Sequence, residues 1–201
     1  LMKEFGPSAL AAMMRQMGIM THIDEVYSLC VGPAEVNVFD MVSAYNVFPS
    51  HGTYVYPQYV TRITDSEGVE IGRYSTRKRE AISEQTAYLM VDLMKAVVNE
   101  GTGARLRSVY RLKGEIAGKT GTTNDNSDGW FIGYTPNITA GVWVGGEDRQ
   151  VHFNSLALGS GSNMSLPIWG LWMQKCLADP TIGWSELDTF APPSTGALTF
   201  D

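Results

Sequence analysis

A chain of 201 residues, 44% apolar and 18% charged, is not a disordered polypeptide, because that apolar share is enough to build a buried core. Its formal charge of -6 argues against nucleic acid or an anionic membrane surface as partner, since both demand a basic face. No apolar run approaches the ~18–20 residues of a membrane span, and no signal peptide is visible.

The chain opens at Leu1 with LMKEFGPSALAAMM, which reads as the interior of a longer polypeptide. Residues 7–17 are expected to be helical. Pro7 suits a first turn, Ala and Met dominate, and Gly18 stops the run. Met13, Met14, Met17 and Met20 are expected in the core. A second helix is predicted over 37–48. Asn37 caps it, Asp40 follows three residues on as in a capping box, and Val38, Met41, Tyr45 and Phe48 form a stripe of helical period. Asp65-Ser66-Glu67-Gly68 then turns a β-hairpin. Ser83 caps a third helix, stopped by Gly101 and Gly103. A strand is read around Gly114–Thr122, and GWFIGYTPNITAGVWVGG is a hairpin turning at Thr135-Pro136-Asn137. Pro167 starts a last helix.

Two divisions follow: 1–180 as the folded portion, and 181–201 as a Pro-rich, loosely attached tail. Strands joined by short turns are antiparallel, so the fold class is α/β in the α+β sense, helices on an antiparallel sheet. Cys30 and Cys176 read as two free core thiols, with a long-range disulfide as the alternative, and the compartment stays open.

The chemistry concentrates in GEIAGKTGTTNDNSDGWFIGYTP, residues 114–136. A phosphate loop needs G-x-x-x-x-G-K-[ST] running into a helix. Here Gly114 and Gly118 enclose three residues, and a turn-rich stretch leads to a strand, so that reading fails. On a sheet edge, Lys119-Thr120-Gly121-Thr122 is instead a substrate wall. Lys119 supplies positive charge for a carboxylate, and the Thr120 or Thr122 hydroxyl donates to it. Gly121 lets a substrate backbone lie close, and the Thr122 N–H faces an oxyanion. K-T-G belongs with S-x-x-K and S-D-N among the motifs of acyl-transfer enzymes of the β-lactamase type.

AGKTGTTNDNSDGWFIGYTPNITAGVWVGGED resembles the third-motif region of class A, bifunctional penicillin-binding proteins. LCVGPAEVNVFDMVSAYNVFPSHGTYVYPQYVTRITDSEGVEI, ISEQTAYLMVDLMKAVVNEGTGARLR and LPIWGLWMQKCL resemble the segments around it in that family. The resemblance covers nearly the whole chain. It implies the C-terminal part of a penicillin-binding/serine β-lactamase-like fold, incomplete in this chain, and a D,D-transpeptidase that cross-links peptidoglycan stem peptides ending in D-Ala-D-Ala. A serine is acylated, and an amine then takes the acyl group. Carried onto this sequence, Lys119 and Thr122 are catalytic, and Lys119, Thr120, Gly121, Thr122, Thr123 and Trp130 bind substrate.

The resemblance also implies β-lactam antibiotics as ligands and an extracytoplasmic, periplasmic location. The parent protein would be held in the inner membrane by an upstream segment. No cofactor or metal is implied. The nucleophile is missing: no S-x-N occurs, and the one S-x-x-K, Ser75-Thr76-Arg77-Lys78, reads as a solvated charge cluster lying much closer to Lys119 than in the family. A catalytic lysine needs burial to act as a base. The chain is therefore expected to be inactive alone, to need the N-terminal half of the domain as partner, and to be prone to self-association. A non-catalytic binding or structural module is the alternative, and a serine β-lactamase-like hydrolase a weaker one.

Other polar residues read as structural. His22, His51 and His152 share no metal-ligand spacing. Asn124, Asp125 and Asn126 are turn formers with an acceptor-substrate contact as the alternative. Trp130, Phe131 and Tyr134 are core residues first, with Trp130 available to line a groove.

Overall fold

The computed structural model describes residues 2–194. The chain divides into two compact units, one ending at Ser83 and the other starting at Glu84.

The first unit begins with α1 (Met2–Gln16), broken at Gly6, whose φ of 75° and ψ of 157° are not helical. Pro7 restarts the helix where its missing N–H has no partner to lose. Ala11, Ile19, Ile23, Leu29 and Ala44 form this unit's core. Met14 and Met17 pack against it. Met13 and Met20 are exposed, against expectation: Met13 lies on an exposed face of α1, and Met20 follows the helix end. Cys30 is exposed too; it sits in a 3-10 turn, Tyr27–Val31, rather than in an apolar element.

Helix α2 (Val38–Tyr45) is capped by Asn37, whose side chain accepts the Asp40 N–H at 2.7 Å. The Asp40 carboxylate does not close a capping box. Its Oδ2 accepts from the Met20 N–H, the Thr21 N–H and the Thr21 hydroxyl at 3.0, 3.0 and 2.8 Å. Burial pushes this carboxyl up, but the Thr21 hydroxyl and the two N–H groups outweigh it and hold it below the usual carboxylate range.

Two small antiparallel pairs follow. Strand β1 (Thr53–Val55) pairs with β4 (Lys78–Glu80). Strands β2 (Arg62–Thr64) and β3 (Glu70–Arg73) form the expected hairpin. Asp65 Oδ1 accepts the N–H groups of Glu67 and Val69 at its turn.

The second unit carries α3 (Glu84–Asn99), α4 (Arg105–Ser108) and an antiparallel sheet in the order β5-β6-β7. The strands are β5 (Ala117–Thr122), β6 (Asp128–Tyr134) and β7 (Thr139–Gly145). A short helix, α5 (Leu156–Gly159), precedes α6 (Ser165–Ala178). Pro167 falls in the first turn of α6, as its missing N–H favours.

Helix α6 lies against β6 and β7, and α3 against β5. Phe131 and Trp169 are fully buried and meet edge to face with ring centres 5.4 Å apart. Together with Val98, Leu106, Ile116 and Leu166 they make the core. This burial is the main stabilising term, roughly 1.5–3 kcal/mol for each large side chain. Cys176 is a buried free thiol, as expected.

The residues after 180 are not loosely attached as far as Ser194. Phe190 is buried against Tyr134, with ring centres 5.7 Å apart. Its N–H donates to Glu115 Oε2 at 2.7 Å. Ser194 donates through N and Oγ to Glu84 Oε2. The expectation for 195–201 lies outside the described residues.

Candidate active site

Strand β5 is at an end of its sheet, and among the described residues no strand pairs with its outer edge. Its register with β6 sets Lys119 opposite Ile132, Thr120 opposite Phe131, Gly121 opposite Trp130 and Thr122 opposite Gly129. Side chains alternate between faces. Lys119 and Gly121 therefore share one face with Trp130 and Ile132, and Thr120 and Thr122 share the other with Phe131.

The peptide groups alternate as well. The Thr123 N–H donates inward, to Asp128 O at 3.2 Å. By the antiparallel pattern the N–H and C=O of Thr120 and Thr122 then point outward, along the unpaired edge. The Lys119 side chain, which is exposed, reaches that edge and donates from Nζ to Thr120 O at 2.8 Å.

Each threonine is differently held. Thr120 Oγ1 lies 2.6 Å from Thr102 Oγ1. Thr122 Oγ1 accepts the Gly161 N–H at 3.1 Å, which leaves its own hydrogen to be given to another acceptor. The Thr123 hydroxyl is occupied within the loop: it accepts the Asp128 N–H at 3.0 Å and lies 2.9 Å from Ser127 Oγ.

That loop runs through a 3-10 turn, Asn124–Asn126, in which Asp125 (φ 60°) and Asn126 (φ 56°) are left-handed. Asn and Asp tolerate this conformation best after glycine, which explains the Asn-Asp-Asn run. Asn126 Nδ2 donates to Phe153 O at 3.2 Å, and the Phe153 N–H donates back to Asn126 O at 3.3 Å.

Trp130 is half-buried. It stands between Gly121 and Trp143 in the register of β5, β6 and β7. A Cβ at Gly121 would lie 3.1 Å from Trp130 Cβ, so a side chain there would crowd Trp130 across the strand pair. Phe131 and Tyr134 are core residues.

Three contributors escaped sequence reading. Gly161 lies under the strand end, where a Cβ would come within 2.3 Å of Gly121 O and 2.4 Å of Trp130 O. Arg105 donates from Nη1 to Ser162 O at 3.0 Å and to Asn163 Oδ1, and so braces the segment that carries Gly161. Thr102, between the two glycines that stop α3, reaches β5 through its hydroxyl.

Ser75-Thr76-Arg77-Lys78 is not helical. It is exposed and leads from β3 into β4. Serine and lysine three apart on extended chain point to opposite faces, unlike the i, i+3 neighbours of a helix. His22 is paired with Asp24 at the surface, at 3.2 Å. Among the described residues no three His, Cys, Asp or Glu side chains converge as metal ligands, and no helix is long and apolar enough to cross a membrane.

Comparison with known proteins decides the family. The profile described as "Penicillin binding protein transpeptidase domain" matches residues 16–149, more than half of the chain. The chain belongs to the penicillin-binding protein transpeptidase family. Penicillin-binding protein 1A of Aquifex aeolicus is 35% identical over 150 residues, 75% of this chain and 20% of that protein. The chain therefore spans about a fifth of that relative's length.

Among solved structures, penicillin-binding protein 1A of Haemophilus influenzae superposes with a TM-score of 0.79 at 19% identity, over 89% of this chain and 32% of that one. PonA1 of Mycobacterium tuberculosis in complex with penicillin V gives 0.73 at 24%, over 94% and 53%. The fold is that of penicillin-binding transpeptidase domains, a mixed α/β structure with antiparallel sheets and helices.

Proposed function

We propose that this chain supplies the substrate wall of a serine-type D,D-transpeptidase that cross-links peptidoglycan, the nucleophilic serine coming from another part of the parent protein. The observation that carries this reading is the unpaired edge of β5. Lys119 Nζ, the outward peptide groups of Thr120 and Thr122, and the hydroxyl hydrogen of Thr122 meet there. A peptide ending in a free carboxylate matches that edge: its backbone adds alongside the strand, and its carboxylate meets Lys119 and the threonine hydroxyls. The penicillin V complex of PonA1 supports the same ligand chemistry for this chain, since a β-lactam carries both a reactive carbonyl and a carboxylate.

In this reading Lys119 provides the positive field and contacts the nucleophile side. Thr120 and Thr122 bind the carboxylate. The Thr122 N–H stabilises the oxyanion of the tetrahedral intermediate, and the half-buried Trp130 lines the groove. Gly121 keeps the strand low enough for the substrate backbone. Thr123, which was expected to bind substrate, acts through the loop it closes. The proposed site of action is outside the cytoplasmic membrane, where peptidoglycan lies. The proposed transpeptidase portion is residues 1–180, and the segment after it is held down at Phe190 and Ser194.

The test is intact mass after incubation with excess benzylpenicillin, followed by peptide mapping, on this chain and on the full-length parent. The reading predicts no adduct on the chain and one acyl adduct on a parent serine outside it. An adduct on Ser75 contradicts it, and so does a parent that is never acylated.

A further inference from the structure

Thr102 stands in Gly101-Thr102-Gly103, where α3 ends. The Gly103 N–H donates to Val97 O at 2.9 Å and the Gly101 N–H to Ala96 O at 3.1 Å. A Cβ on Gly101 would lie 2.9 Å from Val97 Cα, and one on Gly103 3.1 Å from Val97 O. A side chain at Gly101 would force the turn to shift, and one at Gly103 would crowd it. The turn carries the exposed Thr102 side chain to β5, where its hydroxyl oxygen is 2.6 Å from that of Thr120.

A hydroxyl pair is directional. One partner gives its hydrogen and the other keeps its own for a third group. If Thr120 gave its hydrogen to Thr102, it would have none for an anion at the strand edge. If Thr102 gives, Thr120 accepts and is set to donate outward. The Lys119 ammonium, bonded to the carbonyl of Thr120 itself, brings the anion to this place. Hydrogen bonds in a chain polarise one another, so an anion on Thr120 favours donation from Thr102.

We infer that Thr102 is a positioning residue that donates to Thr120 Oγ1 and thereby directs the Thr120 hydrogen to the terminal carboxylate of the bound stem peptide or β-lactam. This rests on the transpeptidase reading above. Thr102 acts through Thr120 and reads only the carboxylate, not the reacting carbonyl.

The experiment measures second-order acylation rate constants of the full-length parent protein with benzylpenicillin and with its methyl ester, in which the carboxylate is blocked. Thr102→Val keeps the shape and removes the donor. It is expected to slow acylation by benzylpenicillin about tenfold, the scale of one hydrogen bond made toward a charged group, and to leave the ester rate unchanged. Thr102→Ser is expected to restore the benzylpenicillin rate. Thr102→Ala serves as the second donor-free variant if the valine protein does not fold. Equal losses with both ligands, or no loss with either, overturn the inference while the transpeptidase reading stands. A wild-type parent that benzylpenicillin does not acylate overturns both.

Discussion

Thr122 Oγ1 accepts the Gly161 N–H at 3.1 Å, and this bond joins the outer strand of the sheet to a segment 39 residues further along the chain. It fixes which way the Thr122 hydroxyl faces, and with it the hydrogen that the strand edge presents. The approach is too close for any side chain at Gly161, where a Cβ would fall within 2.3 Å of Gly121 O. Gly161→Ala is therefore expected to push the segment off the strand. Overpacking of this kind costs about 1–3 kcal/mol, to be read as a lowered denaturation midpoint, together with slower β-lactam acylation of the parent protein. An unchanged midpoint and rate in Gly161→Ala would remove the bond from the account.

Arg105 braces the same segment through Ser162 O and Asn163 Oδ1. Arg105→Met keeps much of the side-chain length and removes the donors. The expected loss is about 1.5–3 kcal/mol, the range for hydrogen bonds to a charged group, measured by urea denaturation. Arg105→Lys is expected to recover only part of it, because an ammonium cannot reproduce the guanidinium fork.

Asp40 supplies a pH dependence in the first unit. Its folded carboxyl lies below the usual range despite burial, because the Thr21 hydroxyl and two N–H groups hold the charged form. A depressed carboxyl stabilises the fold above its unfolded pKa, about 3.9, and that contribution is lost as pH falls through the folded value. Asp40→Asn is expected to lose about 1–3 kcal/mol near neutrality. Thermal melts as a function of pH check this: the gap between wild type and variant should close in acid, and a gap of constant size contradicts it.

Lys95 and Glu115 make a second such pair, 2.6 Å apart and largely shielded from solvent. Burial pushes Glu115 up, but the Lys95 hydrogen bond and the Phe190 N–H bring it below its ordinary value. For Lys95, burial pushes down and Glu115 raises it above its ordinary value. The glutamate contribution is present above about pH 4.3 and fades in acid; the lysine contribution is present below about pH 10.4 and fades in base. Glu115→Gln is expected to flatten both limbs of the stability profile and to loosen the segment at Phe190. Hydrogen exchange at the Phe190 amide reads the second effect, and unchanged protection there counts against the strap.

The strand edge and its hairpin were legible in the sequence because their signals are local. Glycine, β-branched residues and a Thr-Pro-Asn turn mark them over a short window. The partners of the edge were not legible, because Thr102 and Gly161 reach it only through tertiary structure. Gly101-Thr102-Gly103 carried the right signal, two glycines around one hydroxyl, but the helix stop explained it too easily. Asp40 shows the same limit. Its spacing from Asn37 fits a capping box, yet a buried carboxylate takes whichever donors the fold brings, and these came from residues 20 and 21. The Pro-rich composition after residue 180 hid one aromatic anchor, Phe190, which is enough to hold the segment down.

If the β5 edge receives the carboxylate-bearing substrate through Lys119, stopped-flow acylation of the full-length protein by benzylpenicillin separates wild type from Lys119→Ala. Loss of a preorganised electrostatic contact predicts a rate lower by about 10²–10³-fold, with the denaturation midpoint unchanged because the exposed side chain bonds only the carbonyl of its neighbour. Equal acylation rates in the two proteins would contradict that role of Lys119.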